Sequence, residues 1–497
     1  MTLRTDTLQA DVVRTREGSS LLLRAAHPED LAAFEGPVAE VGGGAVLHGP
    51  ASHANALALR AAIPALRPRL VSGHRTSVGT GDRTGLATAG HARAFGQDGG
   101  GVFPVLAQQS IREMDRLGRS AREVLDDAVL GLVEAGWERG FGADCDHIKT
   151  TEGIDRGLDA GFRMFTLDPG DMVQDVTGGI TDEQIDALPW QDLEDTRADL
   201  LARYRGLVIE AAGERIAPSD AEILAAAVKY GGAVAEAARL HRHLLAHAPA
   251  APDPRGAAPD PRGDEPAVEV EIAVDETAWQ TTFFEHHFLA SELERLGVTW
   301  FSFAPRYVDG FEKGLEFRGD RDELRRNLEV HHAIGELHGG YKISLHSGSD
   351  KFSIYPLALE ATDGLVHLKT SGTSYLSALE VIAEEDPELF ARIWGISREA
   401  YARAKASYQV SAHEDRTPAD LAGRGADELV QLVRESEDAR QILHVGYGDT
   451  LTAELADGTP LRARFASDLR ARHDLYTEVL VPHISRHLAP FAAVPAR

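Results

Sequence analysis

Six consecutive positions, "DCDHIK", crowd Asp144, Cys145, Asp146, His147 and Lys149 together. Burying so many polar groups at the end of a strand costs several kcal/mol unless each finds a partner. The structural reading is a hydrogen-bonded network around a loop. The chemical reading is a metal-ligating imidazole beside a general base. Histidine is the commonest nitrogen ligand for divalent transition metals, and a neighbouring carboxylate moves protons. Two more histidines hold comparable places: His346 ends "KISLH", and His367 alternates with Lys369 in "LVHLKT". Asp275 and Glu276 close "AVEVEIAVDE". His147, His346 and His367, with these acids nearby, are candidate ligands for a divalent cation. Nitrogen and oxygen donors suit Zn, Mn, Co, Ni or Fe.

Basic residues recur where strands end: Arg83, Lys149, Arg306, Lys342, Lys351 and Lys369. Gathered at one opening they favour a carboxylate or phosphate ligand. The alternative is that each pairs with an acid such as Asp144, Asp168, Asp275 or Asp350.

These residues sit on a repeating pattern. Apolar runs of strand length, closed by polar residues, occur at 69–79, 102–110, 140–150, 162–171, 267–277, 298–307, 341–350 and 365–375. Helix-like segments separate most of them, such as "TEGIDRGLDAG", where Thr151 and Glu152 read as start signals. Strands alternating with helices pair in parallel, and eight such units predict an α/β fold with a closed (β/α)₈ TIM-like barrel. The reactive residues then gather at the carboxyl ends of the strands, where such barrels place their sites. Residues 1–68 read as an N-terminal cap, and 69–171 with 267–375 as the barrel. Residues 172–266 form a helical insertion after the fourth strand. It closes on a Pro/Arg/Gly-rich linker at 248–266, with the tandem "AAPDPRG AAPDPRG" inside it. Residues 376–497 read as a helical C-terminal extension.

Weaker signals take bland readings. "SVGTGDRTG" lacks both the Walker lysine and the dinucleotide spacing, so it reads as an active-site loop. The pairs His241/His243, His286/His287 and His331/His332 read as surface or packing residues, and Cys145 as a packing residue.

The bulk numbers exclude whole classes. A formal net charge of −27 over 497 residues argues against nucleic acid or an anionic membrane as partner, though not against a small anionic substrate. One cysteine permits no internal disulfide, and neither a membrane-length apolar run nor a signal peptide is expected, which together fit the cytoplasm. Homo-oligomerisation stays open.

The blocks "GDRTGLATAGHARAF", "AQQSIREM", "GFGADCDHIKTTEGIDRGLDAGFRMFTLDP", "VDET", "APRY" and "KISLHSGSDKFSIYP" resemble the tagaturonate epimerase family. The resemblance runs from about residue 69 to beyond 375. It implies a metal-dependent epimerase of bacterial uronate catabolism that interconverts tagaturonate and fructuronate, small sugar acids. It also implies Asp146 and Glu276 as acid–base groups, with Asp144 and Asp275 as alternatives, and His147, His346 and His367 as ligands. The six basic residues above would then bind the substrate, one or more of the lysines or Arg306 pairing with its carboxylate. The two sugars differ at a carbon β to the ketone, so simple enolisation cannot invert it. Retro-aldol cleavage with re-addition, and direct deprotonation with reprotonation, both remain as routes.

Overall fold

All eight strand segments pair side by side, in parallel, and close on themselves in a computed structural model. It describes residues 2–249, 267–370, 372–405 and 410–492. The tandem repeat expected to act as a linker, 250–263, lies outside the described residues. The barrel strands are β1 (Thr76–Thr80), β2 (Phe103–Ser110), β3 (Gly142–Ile148) and β4 (Met164–Leu167), followed by β5 (Glu269–Ala273), β6 (Ser302–Ala304), β7 (Lys342–Leu345) and β8 (Val366–Thr370). β8 pairs with β1 and β4 with β5, which closes the cylinder.

Alternation along each strand sorts the side chains. On β7, Ile343 and Leu345 join the aliphatic core, whereas Lys342 and Ser344 face the lumen; on β8, Val366 and Leu368 do the same opposite His367 and Lys369. The lumen is therefore unusually polar. Ser344, His367 and Ser77 share one register level, and Glu271 pairs across to Thr166 and Ser302. Such a core holds together only because its groups bond one another: the Ser302 hydroxyl donates to Glu271 at 2.6 Å and the Thr166 hydroxyl to Asp144 at 3.0 Å.

The helices start on recognisable signals. Ser120 and Glu123 form a capping box before Ala121–Ala135. Thr150, one residue earlier than the expected Thr151, caps helix Thr151–Ala160. Ahead of the barrel, residues 3–50 form a five-stranded antiparallel sheet. After β4 come short helices, a small hairpin (Ile209–Ala211 with Glu214–Ile216) and the long helix Asp220–His247, which packs on Thr151–Ala160 and Phe283–Arg295. After β8 the described residues are mostly helical to Phe491. Helix His473–Leu488 lies on helix Thr88–Asp98, where Gly90 permits the contact: a Cβ there would meet Leu480 at 2.9 Å. No described helix is long and apolar enough to cross a membrane.

Candidate active site

The carboxyl ends of the strands open into a cavity of about 450 Å³, bordered by Asp275, Glu276 and His346 and continuous with a narrower cleft that reaches Asp146, His147 and Lys369. In a regular strand Asp146 and His147 would face opposite ways. Here the β3–β4 register shifts between Cys145 and Ile148, and His147 takes φ = 50°. This bulge turns both side chains toward the cleft, and a non-glycine residue held in the left-handed region is the kind of strain that clusters at functional sites.

One donor atom each from His147, Asp275 and His346 lies within 4.8 Å of the others. The two rings stand edge to face with centroids 5.0 Å apart. Each ring is anchored from behind by a carboxylate, which only accepts: His147 Nδ1 donates to Asp168 at 2.8 Å and His346 Nε2 donates to Glu271 at 2.7 Å. Carboxylate-backed histidine is the usual support of a metal ligand, fixing the tautomer and raising basicity. The inner atoms are different. His346 Nδ1 and Asp275 Oδ1 are buried and 3.0 Å apart, an ion pair whose angles fall short of a well-formed hydrogen bond. Buried polar atoms left facing each other in this way fit a shared cation. The electrostatics agree. Burial opposes charge on these rings, but Asp146, Glu276 and Asp168 raise His147 to about 10, and Asp275 and Glu271 raise His346 to about 9, so the site holds positive charge strongly.

Lys369 ties the floor of the cleft together. Its ammonium meets Asp144 at 2.9 Å, Asp146 at 2.7 Å, Glu271 at 2.7 Å and the Thr166 hydroxyl at 2.6 Å. Burial penalises that charge, but the three carboxylates hold the lysine protonated well above its ordinary range. Asp144 lies beneath the cleft, where burial and its acidic neighbours push it up to about 7. Asp146 faces the cleft. Burial would raise it, but the charges of His147 and Lys369 hold it well below the carboxylate range. Glu276 is gripped by the Arg112 guanidinium through two bonds of 2.8 and 2.7 Å. It too stays a carboxylate, because His147 and Arg112 outweigh its burial.

Other expected site residues fall elsewhere. His367 does not join His147 and His346. It sits two residues deeper than Lys369, about 7 Å down the strand, with Nδ1 on the Ser77 hydroxyl at 2.8 Å and burial lowering its pKa to about 3. Asp275 takes the third place instead. Lys342 begins β7 and so lies at the barrel's base, about 13 Å below His346 along the strand. There it donates to the Val71 carbonyl and to Ser77, near Glu269. Lys351 is buried against the carbonyls of Glu312 and Leu315 and buttresses the loop after β6. Arg83 borders the cleft but is bound to Glu113 and stacked 3.6 Å over Tyr447. Lys149 and Arg306 reach the outer cavity, paired with Asp171 and Asp309. Cys145 is fully buried, and burial with its acidic neighbours raises its thiol. Among the histidine pairs, His286 bonds His331 and Tyr341 in the core and His243 pairs with Asp155 at the surface.

Sequence reasoning missed Glu271, Arg112 and Lys313 as members of the site. The acid had a visible signal: "VEVEIAV" places two glutamates, Glu269 and Glu271, on one face of a strand that is otherwise aliphatic. Arg112 follows Ser110, the N-cap of helix Ile111–Leu117, directly at the end of β2. Lys313 comes from a loop and had none.

Comparison with known proteins places this arrangement. The tagaturonate epimerase family model matches residues 15–491. A tagaturonate/fructuronate epimerase of Thermotoga maritima is 35% identical over 484 residues, covering 97% of this chain and 94% of that protein. Crystal structures of a fructuronate-tagaturonate epimerase from Cohnella laeviribosi, 30% identical, superpose with a TM-score of 0.84 over 99% of this chain and 95% of that one with one glycerol bound. With two glycerols the TM-score is 0.85 over 96% of that chain. These relatives are epimerases, enzymes of the isomerase class, and a match that spans barrel, cap and helical tail together makes this chain a member of the tagaturonate epimerase family.

Proposed function

We propose that the chain interconverts D-tagaturonate and D-fructuronate in the cytoplasm, in uronate catabolism, with a divalent transition metal held by His147, Asp275 and His346. The observation that carries this reading is the convergence of one donor atom each from His147, Asp275 and His346 within 4.8 Å, inside a fold whose named relatives are tagaturonate/fructuronate epimerases. When bound, the ion supplies Lewis-acid stabilisation of negative charge on the substrate's oxygens. The chain's own residues do the rest. Asp146 and Glu276, both kept as carboxylates, reach the cleft from β3 and from the segment after β5, so either can take the C4 hydroxyl proton. The pair of electrons of the C3–C4 bond then moves toward the C2 carbonyl and leaves an aldehyde at C4. After that aldehyde turns its other face, the bond re-forms and the carboxylic acid returns its proton to the new C4 oxygen. The C4–H bond, by contrast, is not next to the ketone, so no conjugation assists its removal.

Metal analysis followed by assay in D₂O tests the reading. Chelation is expected to stop tagaturonate turnover and Mn, Co, Ni, Zn or Fe to restore it, with fructuronate carrying no deuterium at C4. Deuterium at C4 would replace bond cleavage by direct proton exchange. Full turnover of metal-stripped protein, or cleavage fragments and an aldose as final products, would overturn the metal-dependent epimerase.

The substrate carboxylate is assigned to Lys313. Its ammonium borders both the cleft and the outer cavity and has no ion-pair partner among the described residues. Lys313→Gln is expected to raise KM about 10–100-fold, the equivalent of a charge-assisted hydrogen bond worth roughly 1.5–3 kcal/mol. Steady-state kinetics should show kcat changed only a few-fold.

A further inference from the structure

Outside the active site, three donor atoms converge where the C-terminal helix meets the loop leaving β7. His483 and His487 are four residues apart on helix His473–Leu488, so their rings share a face. Asp350 Oδ1 lies 3.4 Å from Nε2 of each, and all three atoms fall within 4.8 Å of one another. None of the three residues borders the catalytic cavity.

The contacts do not read as ordinary ion pairs. Asp350 is 6% exposed, and neither its Oδ1 nor His483 Nε2 has a hydrogen-bond partner. A charge-assisted hydrogen bond would draw them to about 2.7–2.9 Å. A separation of 3.4 Å instead matches the edge of a tetrahedron whose centre is about 2.0–2.2 Å from each ligand. Two of the three groups are also held from behind. His487 Nδ1 donates to the His483 carbonyl at 2.9 Å, which leaves Nε2 as the lone-pair side; that nitrogen accepts the Asp350 backbone N–H at 3.0 Å. Arg440 holds Asp350 Oδ2 at 3.0 Å and leaves Oδ1 toward the rings. Asp350 adopts φ = 58°, a strained conformation for a non-glycine residue.

We infer that Asp350, His483 and His487 form a second divalent transition-metal site, structural in role, that fastens the C-terminal helix to the loop carrying His346 and Ser349. On binding, the Asp350 N–H gives up His487 Nε2, and the ion takes its place.

The test is independent of the catalytic assignment. The background is a His147→Ala/Asp275→Asn chain that also carries His243→Ala, because the surface group Asp155, His243 and His247 has donors of its own. Loaded with Co²⁺ or Zn²⁺ and then dialysed, this protein is expected to keep about one equivalent and to melt several degrees higher with metal than without, as ligand linkage requires. Adding His483→Ala, or His483→Gln, should remove both the retained equivalent and the metal-dependent rise; because the His483 side chain is only 17% exposed, the Gln variant, which keeps most of its volume, separates ligand loss from packing loss. Loss of all metal from the background protein, or unchanged retention and melting after His483 is replaced, would overturn the site. The zinc-dependent melt alone decides the question if the His483 variants do not fold.

Discussion

Replacing Asp275 by Asn is expected to lower kcat/KM by about 10³-fold or more. The substitution keeps the shape of the side chain but removes the one anionic ligand of the His147–Asp275–His346 group. A Lewis acid stabilises transition-state charge by several kcal/mol, and each 1.36 kcal/mol is tenfold in rate. The change also takes a carboxylate away from the buried His346 ring 3.0 Å away, so some loss of stability accompanies it and the metal-free melts of wild type and variant are the reference. Asp168→Asn provides the graded comparison: it leaves the ligands in place and removes only the acceptor behind His147, which is expected to cost 10–100-fold in metal affinity. Metal content, kcat/KM and thermal melts of the two variants should therefore separate. An Asp275→Asn protein that holds metal and turns over normally would remove Asp275 from the site.

That Asp275, and not His367, completes the group shows where sequence reasoning stops. The barrel was legible because each strand repeats one simple alternation and because parallel strands must be joined by helices, which the chain supplies. Ligand identity depends on depth along a strand and on local register. His367 looked equivalent to His346 because both alternate with aliphatic residues, but it lies one layer lower, bonded to Ser77. Lys342 was misplaced for the same reason: it shares the lumen face with His346 but starts the strand that His346 follows. The pairing of Asp146 with His147 on one cleft depends on a bulge, and a bulge leaves no mark in the alternation of "ADCDHI". Arg112 and Lys313 come from a helix start and a loop, where the sequence carries no period to read.

Lys369→Met is expected to be the most damaging single change to the fold. Among the described residues the lysine is the one cation that touches Asp144, Asp146 and Glu271 at once, and all three carboxylates are buried. Removing one partner of a buried ion pair costs about 3–5 kcal/mol, because the remaining charge is left without compensation. Three acids around one vacated position place this variant at the upper end. The pH dependence identifies the cause. Burial raises each of these acids, but in the wild-type protein Lys369, with His147 or His346, holds Asp146 and Glu271 below their ordinary values. Groups lowered in this way contribute stability that is present above about pH 4 and is lost as pH falls through their folded values. Without the lysine that contribution disappears, and the acids bind protons more readily folded than unfolded. The stability gap between wild type and Lys369→Met should thus be widest near neutral pH, narrow toward pH 4 as the variant's acids take up protons, and close only below that, where the wild-type acids titrate. Adding Asp144→Asn, which removes the acid already pushed up to about 7, should return part of the loss. Denaturant unfolding of the single and double variants across pH 4–8 measures both effects. A gap that does not change with pH would mean that Lys369 acts through packing and not through charge.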